Sequence, residues 1–147
     1  MQTQEFEFSH SGRSYGAYVA FDENQTGKRP GILVIHDLWG LGEQPRERAR
    51  KLAELGYVGF AVDLFGDRLL PRSLDEALPI VGRMRADTRQ FRNQLLAGLN
   101  QLKSREEVDP ERLGAIGFCL GGISALELAR DGADLRAVVS FHGNLDT

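Results

Sequence analysis

One cysteine, one tryptophan and two methionines are all that this 147-residue chain holds of those three residue types, and the scarcity of sulfur already excludes some chemistry. A lone cysteine can form neither an internal disulfide nor a thiolate cage for a metal. Long apolar runs are missing as well. No stretch approaches the ~20 residues that a membrane helix needs, so no membrane contact is expected. The N-terminal MQTQEFEFSH has neither the basic start nor the apolar run of a secretion signal, which leaves a cytoplasmic location as the expectation. A formal charge of −3 gives no general attraction to nucleic acid or anionic lipid. The one basic cluster, Arg46, Arg48, Arg50 and Lys51, is interleaved with Glu43, Glu47 and Glu54 and reads as a solvated helix face.

What is present is ordinary for a globular chain. Hydrophobic residues make up 41% and charged residues 27%, enough for a single core. Glu5 to Ser9 and Ser14 to Asp22 alternate with period two around HSGR, the pattern of an edge hairpin. GILVI is continuously apolar, as a strand covered on both faces requires. EQPRERARKLAELG then predicts a helix ending at Gly56, and YVGFAV another buried strand. The spacing of Ser73 and Glu76 predicts a short helix over 73–78, and the stripe of Met84, Phe91, Leu95, Leu96, Leu99 and Leu102 a long one over 83–103. LGAIGF, LGGISALELAR and RAVVSF follow as strand, helix and a strand buried on both faces. A hairpin followed by alternating strands and helices implies an α/β fold: a mostly parallel sheet with an N-terminal antiparallel hairpin and helices on both faces, in one domain spanning 1–147.

The cysteine sits in the most informative stretch, GAIGFCLGG. Gly117, Cys119 and Gly121 match the G-x-S-x-G nucleophile elbow with sulfur in place of oxygen, and Gly122 removes one more Cβ from the junction. The elbow's strained backbone and the close approach of strand and helix demand small flanking residues. At the start of the following helix, converging N–H groups and the helix dipole favour a thiolate and can hold an oxyanion. The expected donors are the backbone amides of Leu120 and, in the loop HDLWGLGE, of Leu38. The competing account of Cys119 is a small, inert core residue.

VIHDLWG, VDLFGDR, VDPERLGAIGFCLGG and LRAVVSFHG together resemble the dienelactone hydrolase family of α/β-hydrolases, over nearly the whole chain. The resemblance implies an acyl-cysteine route to ester or lactone hydrolysis by a Cys–His–Asp triad, with no metal and no cofactor. It also implies that Asp37 contacts the resting cysteine, at a position where better-known members carry glutamate. The competing account of Asp37 is a cap on its own loop through the backbone. Arg68, Arg72 and Arg83 are candidates for holding a substrate carboxylate, although each reads first as a surface residue. Trp39 and His142 are candidates for the pocket wall.

The pattern stops short of a full triad. After Cys119 come Glu127, Asp131, Asp134 and Asp146, none at the place where the fold puts its acid, and His142 precedes Asp146 against the expected order. His10 reads as a solvated turn residue, and His36 as a residue that orders the loop it precedes. The chain is therefore expected to be the N-terminal portion of a longer hydrolase, inactive alone, with a second chain or a missing C-terminal half completing sheet and triad. The alternatives are a non-catalytic α/β domain that binds a small ligand or partner and, less favoured with no resolving cysteine, a redox sensor.

Overall fold

A computed structural model describes residues 1–145. The elements, in chain order, are β1 Gln2–His10, β2 Arg13–Phe21, β3 Arg29–Ile35, α1 Glu43–Glu54, β4 Val58–Val62, α2 Leu74–Ala86, α3 Thr88–Lys103, β5 Val108–Phe118, α4 Leu120–Arg130 and β6 Ala137–Phe141. The six strands form one sheet in the order β1-β2-β4-β3-β5-β6. β1 and β2 pair antiparallel, as do β2 and β4, while β4, β3, β5 and β6 run parallel. The predicted hairpin turns through Ser11 and Gly12, both at positive φ, the backbone that matches the right-handed twist of paired strands.

Alternation along the central strands sorts side chains to two sides. Leu33 and Ile35 of β3 and Val58, Phe60 and Val62 of β4 face the main core, where they meet Phe91, Leu95, Leu99 and Leu102 of α3 and Leu120, Ala125 and Leu128 of α4. Val34, Ala61, Tyr18 and Ala20 face the other way, onto Ala49 and Ala53 of α1. Each fully buried large side chain contributes roughly 1.5–3 kcal/mol. Gly59 lets α1 settle onto β4, since a Cβ there would lie 2.3 Å from the Ala49 carbonyl oxygen. Helices therefore cover both faces, as the alternation predicts.

Two expectations are corrected. The helices between β4 and β5 do not divide at 78–83. α2 continues from Leu74 past Pro79 to Ala86, and the chain breaks at Asp87, whose carboxylate caps α3 by accepting from the Gln90 N–H at 3.1 Å. The cap, not the proline, marks the boundary, so Met84 belongs to α2. β6 is also not buried on both faces: it is the edge strand, with Val139 42% and Phe141 41% exposed. In the basic cluster on α1, Arg50 pairs with Glu43 and Lys51 with Glu47, as expected, while Arg46 pairs with Glu5 of β1 and Arg48 lies over the Phe118 ring. Among the described residues no helix is long and apolar enough to cross a membrane.

Candidate active site

β5 delivers the chain to Cys119 at the carboxyl edge of the parallel strands, and α4 begins at the next residue. Between them the backbone makes its sharpest turn: Cys119 has φ 56° and ψ −114°, a conformation that costs a non-glycine residue about 1–3 kcal/mol. Hydrogen bonds on both sides hold it there. The Cys119 N–H donates to the Phe141 carbonyl at 2.9 Å, and the Cys119 carbonyl accepts from the Ile123 N–H at 3.1 Å. The thiol is partly exposed.

Each elbow glycine meets something a side chain would strike. A Cβ on Gly117 would lie 2.0 Å from the Gly121 carbonyl oxygen, and one on Gly121 2.0 Å from that of Ile35 and 2.8 Å from that of His36. A Cβ on Gly122 would fall 2.4 Å from Ser140 Oγ. The turn is thus pressed between β3, β6 and the first turn of α4. Leu120, the first residue of α4, is buried, and its N–H has no partner within the helix.

The loop after β3 lies against the elbow through those Ile35 and His36 contacts. His36 is fully buried. Its Nε2 accepts from the Leu64 N–H at 2.9 Å, its Nδ1 lies 2.6 Å from the Asp37 carbonyl oxygen, and its ring meets Phe65 edge-on at 4.7 Å. Burial holds the imidazole below its ordinary pKa, against the Asp37 carbonyl and the charges of Asp63 and Asp37, which favour protonation. Asp37 Oδ1 accepts from the Trp39 N–H at 2.9 Å, the local loop cap, and among the described residues no hydrogen bond joins Asp37 to the Cys119 thiol. Leu38 packs partly buried against the main core, and Trp39 stands 46% exposed. Gly40, at φ 84°, passes so close to the next loop that a Cβ would sit 2.6 Å from the Leu69 carbonyl oxygen.

That next loop, after β4, is organised by Asp63, whose role sequence reasoning missed. The side chain is 1% exposed and accepts from the amides of Phe65 and Gly66 through Oδ1 and of Gly16 and Arg68 through Oδ2. The signal was an acid closing a buried strand just before a glycine. Glu127, an unplaced acid in the sequence, proves to be buried on α4, where it receives Arg92 and Arg130 at 2.8 Å each.

The elbow and the order of strands around it agree with the sequence of the chain taken as a whole: a sequence model described as the dienelactone hydrolase family matches residues 15–147. The chain belongs to the dienelactone hydrolase family. A Bradyrhizobium protein named "Probable 2-oxo-3-(5-oxofuran-2-ylidene)propanoate lactonase" is 29% identical over 136 residues, covering 92% of this chain and 54% of that protein. A solved structure named m3DLH superposes with a TM-score of 0.96 at 41% identity, over 99% of this chain and 60% of that one. A dienelactone hydrolase-like promiscuous phosphotriesterase from metagenomic libraries gives a TM-score of 0.93 at 36% identity, over 98% and 60%. The chain spans about half the length of the curated relatives it matches, 51% and 54% for two of them.

In this family member the remaining sequence candidates lie apart from the thiol or at its margin. His142 follows β6 at φ 40°, exposed, with its ring 6.4 Å from that of Phe118, one residue before the cysteine. Arg68 is committed to the hairpin, to the Phe6 carbonyl at 2.9 Å and to Glu5 and Glu7. Arg83 lines a cavity of about 290 Å³ with His10, Arg13, Tyr15 and Gln94, while the main-chain N–H of Arg72 donates to Glu76. Asp131 pairs with Arg89 and Arg92, Asp134 is exposed, and Asp146 lies outside the described residues. Among the described residues no three of His, Cys, Asp and Glu gather as a metal site would require.

Proposed function

We propose that this chain carries the nucleophile and oxyanion half of a cysteine hydrolase of small esters or lactones. The observation that supports this reading best is the backbone of Cys119. A non-glycine residue is kept at φ 56° in a turn where neighbouring glycines leave no room for a Cβ, and the residue kept there is the one with a thiol. Ionised, the sulfur attacks the substrate carbonyl carbon and a carbon–sulfur bond forms. The Leu38 and Leu120 amides receive the oxygen that becomes negative. Collapse of the tetrahedral centre returns that charge, breaks the carbon–oxygen bond and releases the alkoxide with its electron pair, to be protonated by solvent. Water then cleaves the acyl-cysteine to acid and thiol. Asp37 and His142 border this path, and Trp39 walls it.

Among the described residues no hydrogen bond joins a histidine to the Cys119 thiol. His36 is occupied at both nitrogens. Lack of a base typically costs ~10²–10⁴-fold, so the 147-residue chain is expected to acylate once, slowly, without turnover. The test is mass spectrometry of the chain after p-nitrophenyl acetate. One acetyl group on Cys119, absent from Cys119→Ala, is the expected result. No adduct on a thiol that iodoacetamide alkylates would reject the hydrolase reading in favour of a non-catalytic binding domain.

A further inference from the structure

The bonds of His36 carry more than loop order. The Leu64 N–H can only donate, so Nε2, 2.9 Å away, must be the acceptor, and the ring proton resides on Nδ1. Nδ1–H then donates to the Asp37 carbonyl at 2.6 Å. That carbonyl and the Leu38 N–H belong to one peptide group. The peptide is trans, so the two point in opposite directions. A buried ring that holds the oxygen therefore leaves the N–H pointing away from that ring. The next amide, of Trp39, is consumed by Asp37 Oδ1. The Leu38 N–H itself has no partner among the described residues.

We propose that His36 is a positioning residue: by holding the Asp37 carbonyl it aims the Leu38 N–H at the oxygen of a substrate bound to Cys119. The inference rests on the hydrolase reading above. Donation to the carbonyl also polarises the amide, which strengthens its N–H as a donor. The ring is anchored in turn. Leu64 follows Asp63, whose carboxylate holds four amides of the β2 and β4 segments, so the aim of one peptide in the loop after β3 is referred to the sheet through the loop after β4.

Two substitutions separate the two bonds. In His36→Asn the side-chain NH₂ takes the place of Nδ1 and keeps the donation to Asp37. In His36→Gln the amide oxygen takes the place of Nε2 and keeps the Leu64 bond alone. Two rates are read on the purified chain: acylation of Cys119 by p-nitrophenyl acetate, which develops an oxyanion, and alkylation by iodoacetamide, which does not. His36→Gln is expected to acylate about 10²-fold more slowly with alkylation unchanged, and His36→Asn to acylate within about fivefold of the parent. Acylation by a folded His36→Gln at the parent rate overturns the proposal, as does a parallel fall of both rates in both variants. If His36→Gln does not fold, a 10²-fold acylation loss in a folded His36→Asn overturns it. A parent chain that alkylates but never acylates rejects the hydrolase reading itself.

Discussion

At the scale of single residues, the elbow makes a sharp distinction among glycines. Gly121→Ala would drive a Cβ to 2.0 Å from the Ile35 carbonyl oxygen, a backbone atom of a central strand. A loss of about 3 kcal/mol or more is expected in urea unfolding, at the upper end of overpacking effects. Gly82, exposed within α2, has nothing within 4 Å of its Cβ position. There alanine is expected to stabilise the chain by about 0.5–1 kcal/mol. His36 supplies a pH signature. Its folded pKa lies below its ordinary 6.5 because it is buried, so the unfolded chain takes up its proton first as pH falls. The associated stability is complete above about pH 6.5 and declines below it. Between pH 7 and 5 the urea midpoint should fall further in the parent than in His36→Asn. The elbow glycines were legible because their demand is local, two residues either side of the cysteine. For His36 the ordering of its own loop was legible, but its partner Leu64, 28 residues on, was not, nor was the part of Asp63, which answers Gly16, 47 residues back.

At the scale of elements, the helices between β4 and β5 show how a local signal misleads. The spacing of Ser73 and Glu76 suggested a helix ending at Leu78, but α2 runs on through Pro79, and the chain turns where Asp87 can satisfy the N–H of Gln90. Asp87→Ala should cost about 1 kcal/mol, as loss of an N-cap does. The strands were read more securely, because apolar runs such as GILVI and LGAIGF have few other uses in a chain of this composition. α3 and α4 are joined by a contact the sequence did not disclose. Glu127 is 4% exposed, and Arg92 reaches it from α3 with a side chain 19% exposed. Glu127→Ala leaves Arg92 only its longer pair with Asp131, at 3.8 Å, and should cost about 1–3 kcal/mol by thermal or urea unfolding.

At the scale of the whole molecule, the strand order places β3, β4 and β5 at the centre and leaves β6 as an edge with Val139 and Phe141 outward. An exposed apolar edge invites pairing between chains. Sedimentation of the chain should show association that grows with concentration and is suppressed in Val139→Lys. The same edge bears on the thiol. The amide of Cys119 is bonded to Phe141, the last residue of β6, so the elbow is latched by an edge strand of the sheet. Whenever that end of β6 frays, the Cys119 amide is freed to exchange with solvent deuterium while Leu33 and Phe60, deep in the centre, stay protected. The turn that holds the sulfur at its strained angle is thus expected to open with β6, ahead of the core, in hydrogen exchange. The fraction of time the nucleophile is correctly held is then set at the rim of the sheet, by how firmly β6 is covered, and not by the core beneath it.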